Sequence, residues 1–250
     1  MSPFERHGLK HLSASSLNKW RAEPAAWIVQ YLMGIRDNAG PGAWRGSAVE
    51  AGLNAHLAGT DLVDPTAAML DTFERDAMGD AADEVEKERN CLPAMLKQAQ
   101  AAFADRERPT AMQVKVECWL DGIDVPIIGY ADYVWPEYGD DLKTTFRVPS
   151  SIESASTAHK RQAAIYMRAR KQPWFLTYVS PNKWARYEVT EAIADEAIRD
   201  LTRIARSLRE VLRRSETAED AAALFAPDYS NFYWSAVTKD AAASVNAWRM

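Results

Sequence analysis

Apolar positions recur with two different periods along this chain, and the change of period divides it. Before residue 104 the pattern is helical, over 20–33, 43–57, 65–78 and 83–103. Ser15 or Ser16 is the expected N-cap of the first helix, Pro24 a break within it, and Pro93 an interruption of the fourth. Residues 34–42 carry Gly and Pro and read as loop. The period then shortens to two, which predicts strands at 112–120, 125–134 and 140–144, the last two joined as a hairpin by the PEYG turn. A helix over 157–171 follows, with Ala163, Ile165 and Met167 as its apolar stripe. Residues 175–179 and 185–189 alternate as strands around an SPNK turn, and 191–214 is an amphipathic helix on Ile198, Leu201, Ala205, Leu208 and Leu212. The C-terminal remainder is mostly helical, with aromatic residues at Tyr229, Phe232, Tyr233 and Trp234. The expected class is therefore α/β (mixed α+β), a central mixed sheet flanked by helices. With no repeat, low-complexity tract or clear linker, a single domain is expected over 1–250. Its core falls at about 43–190, with helical additions at 12–42 and 190–250.

Chemistry concentrates in the central strands. Asp132 interrupts the apolar run VPIIGYADYVW, and an unpaired carboxylate there would be costly, so it needs a cation, a lysine or hydrogen-bond donors. Residues two apart on a strand share a face, so Asp141 and Lys143 point one way while Asp140 and Leu142 point the other. Two carboxylates and a lysine on neighbouring strands suit a hard cation such as Mg²⁺ or Mn²⁺ beside a phosphate, with the Leu142 carbonyl as a further oxygen ligand. Lys143 is the candidate for stabilising phosphoryl charge, or for orienting and helping to deprotonate the attacking water. The leading reading is a metal-dependent nuclease. The competing readings are structural: an Asp132–Lys143 ion pair, or a solvated strand face carrying Asp141 and Lys143.

The ordered set of residues around this trio resembles the PD-(D/E)XK nuclease superfamily, and within it the RecB-like and phage-type exonucleases. The resemblance rests on Gly129-Tyr130-Ala131-Asp132, then Asp141-Leu142-Lys143-Thr144, then Gln162-Ala163-Ala164-Ile165-Tyr166. These match the family's GxxD, (D/E)xK and QxxxY elements in order. Arg45-Gly46-Ser47-Ala48-Val49-Glu50 looks like the first-helix motif whose acidic residue points into the metal site, and Leu12 to Asn18 with Trp20, Pro24 and Trp27 is similar to many family openings. What the resemblance implies is hydrolysis of DNA with Mg²⁺ or Mn²⁺ by Asp132, Asp141, Lys143 and Glu50. Gln162 and Tyr166 would hold the substrate strand, with Lys160, Arg161, Thr144 and Arg45 as further substrate contacts. It also brings a single-strand annealing or recombination protein and a homo-oligomer into view as partners. The same core serves endonucleases and, in degenerate members, non-catalytic DNA-binding or assembly modules; a helicase-linked subunit is a further reading, although this chain has no P-loop.

Composition trims these options. Only Cys91 and Cys118 are present, which excludes four-thiolate ligation of an iron–sulfur cluster within one chain and fits a reducing compartment. No apolar stretch is long enough for a bilayer and the N-terminus has no leader-like run, so the expectation is a soluble, cytoplasmic protein of a bacterial or phage-infected cell, away from membranes. A net charge of -5 weighs only weakly against DNA, because metal-site carboxylates count negatively and local patches matter more. The basic patches are His159, Lys160, Arg161, Arg168, Arg170 and Lys171 on one helix, and Arg203, Arg206, Arg213 and Arg214 on the next, the latter reading mainly as a solvated face. Glu117 reads equally as a cleft residue or an exposed one. Four scattered histidines make zinc improbable, and Trp20, Trp27 and Trp44 read as core or lid residues.

Overall fold

The structure, a computed structural model, describes residues 2–35, 39–59, 63–79 and 82–248. Its five strands are β1 (Ala111–Cys118), β2 (Ile127–Val134), β3 (Gly139–Thr144), β4 (Trp174–Val179) and β5 (Trp184–Val189), lying in sequence order across one sheet. Neighbours are antiparallel except β3 and β4, which are parallel and joined by helix α7 (Thr157–Arg170). A parallel pair needs such a crossover, so α7 lies over the sheet next to the strand carrying Asp141 and Lys143.

The helical elements divide between the two faces. α4 (Pro41–Ala58), α5 (Pro65–Asp76) and α6 (Ala82–Phe103) bury Trp44, Val49, Phe73, Met95 and Phe103 against Tyr133, Trp135 and Leu142. α1 (Pro3–Arg6), α2 (Ala14–Ala22), α3 (Pro24–Tyr31), α7 and α8 (Glu191–Arg214) build the other core, with Phe4, Leu17, Trp20, Trp27, Ile165, Leu201 and Leu208 against Ile127, Ala131 and Leu176. The amphipathic stripe of α8 is buried at Leu201, Ala205, Leu208 and Leu212, as its period predicts. Trp20, Trp27 and Trp44 are all core residues, at 4%, 0% and 1% exposure. Among the described residues no helix is long and apolar enough to cross a membrane.

Several boundaries differ from the sequence reading for local reasons. The first expected helix starts earlier, capped by Ser13, whose hydroxyl accepts from the Ser16 N–H while Ser16 caps back, so neither Ser15 nor Ser16 is the N-cap. Pro24 does divide the segment, sitting at the first turn of α3, where its missing N–H costs nothing. Pro93 does not interrupt α6, which continues through it for 22 residues. Loss of one backbone bond is outweighed because Leu92, Met95, Leu96 and Ala99 on the same helix are 0–4% exposed. Of the expected loop at 34–42, Pro41 and Gly42 already belong to α4, and residues 36–38 lie outside the described residues. Gly52 sets the seat of α4: a Cβ there would stand 2.9 Å from both the Leu96 Cδ1 and the Pro65 carbonyl, so only glycine lets the helix bearing Glu50 pack so closely on its neighbours.

Candidate active site

The site lies where two strands part. β2 and β3 share only two rungs, Tyr133 with Asp140 and Val134 with Gly139. Beyond them Asp132 and Asp141 no longer pair through their backbones, and the Leu142 N–H donates instead to Asp132 Oδ2 at 2.9 Å. The N–H and C=O of a strand residue leave on the same edge, so the Leu142 carbonyl also faces this gap rather than β4. Across the sheet Asp132 is skipped again: its counterpart on β1, Gln113, has φ +51°, a left-handed backbone unusual for a side chain of this size. The Gln113 amide donates to Asp132 Oδ1 at 3.3 Å and to Glu50 Oε1 of α4. Glu50, Asp132 and Asp141 are thus gathered from three elements.

Asp141 is fully buried, and its Oδ2 lies 2.5 Å from Lys143 Nζ. Lys143 in turn donates to Gln162 Oε1 at 2.9 Å, and Gln162 Nε2 donates to Tyr166 Oη at 2.8 Å. Gln162 and Tyr166 share one face of α7, as their spacing of four predicts. Gly129 makes room for this relay: a Cβ there would meet Tyr166 Cε1 at 2.6 Å, so the glycine of the GYAD run exists to admit the tyrosine ring. His159, also on α7, bonds through Nδ1 to Tyr178 Oη at 2.9 Å. Burial and the Lys143 charge hold its pKa down to about 4, so it is neutral at physiological pH.

The electrostatics are those of crowded carboxylates in a poorly solvated place. Burial and the Asp141 charge raise Asp132 well above the usual carboxylate range, and the same causes raise Glu50. Burial pulls the Lys143 ammonium down, but Asp141 and Asp132 more than restore it, so its pKa ends above the ordinary lysine value. Lys143 is therefore a donor here rather than a proton acceptor. Among the described residues no group of three or more His, Cys, Asp or Glu side chains stands as a ready-made ligand cluster. The donors nevertheless suit a hard cation. All are oxygens, and Asp141 Oδ1 is buried with no hydrogen-bond partner, a cost that a cation would remove. Because the folded-state pKa values of Asp132 and Glu50 are raised, their contribution to stability is present below about pH 4 and is lost as pH rises through the folded values. A saturating divalent cation, which takes the ionised forms, should then raise Tm by about 5–10 °C at pH 8 and by less at pH 5. Differential scanning fluorimetry with Mn²⁺ at the two pH values checks this; an equal shift at both, or none, would contradict it.

The proposed substrate contacts divide sharply. Thr144 follows Lys143 on β3, and its hydroxyl lies 3.4 Å from Arg45 Nε. Arg45 itself is 9% exposed, ion-paired with Glu88 at 2.6 Å and laid over the Phe146 ring, so the structure corrects its expected role: it braces α4 against α6. Arg161 is corrected likewise. It is 3% exposed, with its guanidinium on Asp200 of α8 and on Asn18. Lys160 donates to the Glu153 carbonyl at 3.0 Å. Arg168 pairs with Glu191 and Asp195. Arg161 and Arg168, two of the basic residues of this segment, are therefore met by acidic residues of α8 instead of lying open to phosphate. Arg206, Arg213 and Arg214 also find protein partners, in Asp121 and Glu210. Glu117 is exposed and accepts from Trp119 Nε1 at 2.9 Å.

Gln113 was not singled out from sequence. The hairpin register would have revealed it, since Met112 opposite Tyr133 puts Gln113 opposite Asp132.

Comparisons with known proteins give the family and a likeness in fold. The family model of the PD-(D/E)XK nuclease superfamily matches residues 11–231. A solved structure described as a "putative exonuclease" from Eubacterium rectale is similar in fold, with a TM-score of 0.56 at 14% identity over 83% of each chain. A second solved structure, of SSO0001, shares 16% identity over 80% of this chain and 76% of its own, with a TM-score of 0.40, too distant to carry an argument. Among proteins with curated functions, none gives a significant match.

Proposed function

The chain belongs to the PD-(D/E)XK nuclease superfamily, and from that membership we propose that it hydrolyses DNA phosphodiester bonds with Mg²⁺ or Mn²⁺, working from strand ends. The observation that carries the reading is the buried Asp141, with one oxygen on Lys143 and the other without a hydrogen-bond partner, facing Asp132 across the parted strands. Asp132, Asp141 and Glu50 would hold the cation, with the Leu142 carbonyl as a further oxygen. When bound, such a cation polarises the phosphoryl oxygens and lowers the pKa of water.

The side chains supply the rest. Lys143, kept protonated by the carboxylates around it, donates to the developing charge on phosphorus-bound oxygen and orients the attacking water. Gln162 holds the Lys143 ammonium from the other side, and Tyr166 holds Gln162 in turn. Thr144 and Lys160 are the remaining candidates for substrate contact. The likeness in fold to a protein described as an exonuclease supports end-dependent action, and such an activity suits recombination or repair in a bacterial or phage-infected cell, beside a strand-annealing protein.

Linear, nicked and covalently closed circular DNA of one sequence separate the modes of action. The linear form should be degraded in Mg²⁺ and the closed circle left intact. Cutting of the closed circle would make the protein an endonuclease, and loss of neither form in Mg²⁺ or Mn²⁺ would make it a non-catalytic module.

A further inference from the structure

A groove of about 730 Å³ begins at Gln162 and Tyr166 and runs between the N-terminal segment, α7 and the outer part of the β1–β2 ladder. Three of its properties point to one kind of ligand. First, none of its lining residues is acidic, in a chain whose net charge is -5, while the Lys115 ammonium lines it. Second, Lys115 has no ion-pair or hydrogen-bond partner among the described residues, unlike the cations of α7 that α8 neutralises. Third, Tyr130 is 55% exposed, and its ring meets no other aromatic ring among the described residues.

Position sharpens this. Tyr130 and Lys115 are register partners, and they form the rung two residues along from Asp132 and Gln113. At roughly 3.3 Å per residue they stand only about 7 Å along the ladder from the carboxylate of the site. The volume lies within the roughly 300–1,000 Å³ of a small-ligand cleft. That accommodates a few units of one polyanionic chain.

We propose that this groove is the path of a single unpaired nucleic-acid strand, with a base stacked on Tyr130 and a backbone phosphate on Lys115, leading to Lys143 and the carboxylates. The proposal rests on the DNA-hydrolase reading above and adds to it the form of the substrate: an unpaired end, fed between β2 and α7. An aromatic face accepts any base, so the path selects strandedness and not sequence.

Fluorescence anisotropy with labelled oligothymidylate in EDTA tests it, against a duplex of equal length. Tyr130→Ala should weaken single-strand binding about tenfold and duplex binding less than twofold. Lys115→Ala should flatten the logarithmic salt dependence by about 0.7, the loss of one phosphate contact. Trp119→Ala serves as control: this residue is 60% exposed but lies outside the groove, and its change should leave binding within twofold. Unchanged single-strand binding in both groove variants, or equal losses for both DNA forms, would overturn the proposal. Hydrolysis of bis(p-nitrophenyl) phosphate by the wild type with Mn²⁺ reads the chemistry separately. Hydrolysis with unaltered strand binding overturns the groove alone; a tenfold binding loss without hydrolysis overturns the catalytic reading and supports the strand path.

Discussion

Replacing Lys143 with Ala, or Asp141 with Ala, should lower single-turnover cleavage of DNA by about 10³-fold or more while leaving the fold intact. Loss of one preorganised donor at a developing charge already costs about 10²–10³ in rate. Lys143 is more than that, because its ammonium also neutralises Asp141 and positions Gln162. Asp141→Ala removes a ligand oxygen and frees Lys143 at once, so the two variants should fall to similar residual rates, and the double variant little further. Neither change strips apolar packing, since Lys143 and Asp141 bond each other and Lys143 bonds Gln162. Circular dichroism and DNA binding in EDTA should therefore match the wild type. Full activity in either variant, assayed with Mn²⁺ and with EDTA controls, would remove these residues from the reaction.

The largest effect on stability is expected one residue away. Asp140 points to the opposite side of β3, is fully buried, and receives Arg106 at 2.7 Å and Arg186 at 2.8 Å. Burial pushes its carboxyl up, and the two guanidiniums pull it back. Those guanidiniums also lie over aromatic rings, Arg106 on Phe103 and Arg186 on Phe175. Asp140→Ala would strand two part-buried cations side by side. Breaking a buried pair in this way costs about 3–5 kcal/mol, a fall in Tm of roughly 10 °C for a chain of this length. Replacing all three residues together by apolar ones of similar volume should cost far less, because no charge is then left unpaired. Thermal denaturation of both proteins checks the contrast. A change under about 2 °C in Asp140→Ala would mean that the network contributes little.

This pair of neighbours shows what the sequence could convey. That Asp141 and Lys143 share a face opposite Asp140 and Leu142 follows from the pleat, and the structure puts Leu142 and Asp140 on the side of α4 and α6. α8 was legible from its unbroken period, β4 and β5 from alternation, and β2 from a run of β-branched and aromatic residues closed by a Pro-Gly turn. The ordering of GYAD, DLK and QAAIY carried the family.

What was not legible depended on partners far along the chain. The charges of α7 read as a phosphate-binding stripe, but Asp200, Asp195 and Glu191 reach them from a helix that begins twenty residues later. Arg45 sits beside the acidic residue of the site in sequence, yet Glu88 claims it. Gln113 lies in an ordinary polar position of an edge strand. Only its left-handed backbone and the skipped rung at Asp132 turn its amide toward two carboxylates. The partners of Asp140 come from Arg106 and Arg186, on either side of it in the chain, and no local pattern announces them.

The central claim is that Asp132, Asp141 and Glu50 hold a divalent cation beside a protonated Lys143. Calorimetric titration of Mn²⁺ into the wild type and into Asp132→Ala tests it without relying on any choice of DNA substrate. The expected result is a defined site in the wild type, with a proton release that diminishes as pH rises and the raised carboxyl groups ionise without the metal, and no such site in the variant. Equal binding in both proteins, or none in the wild type, would contradict the account.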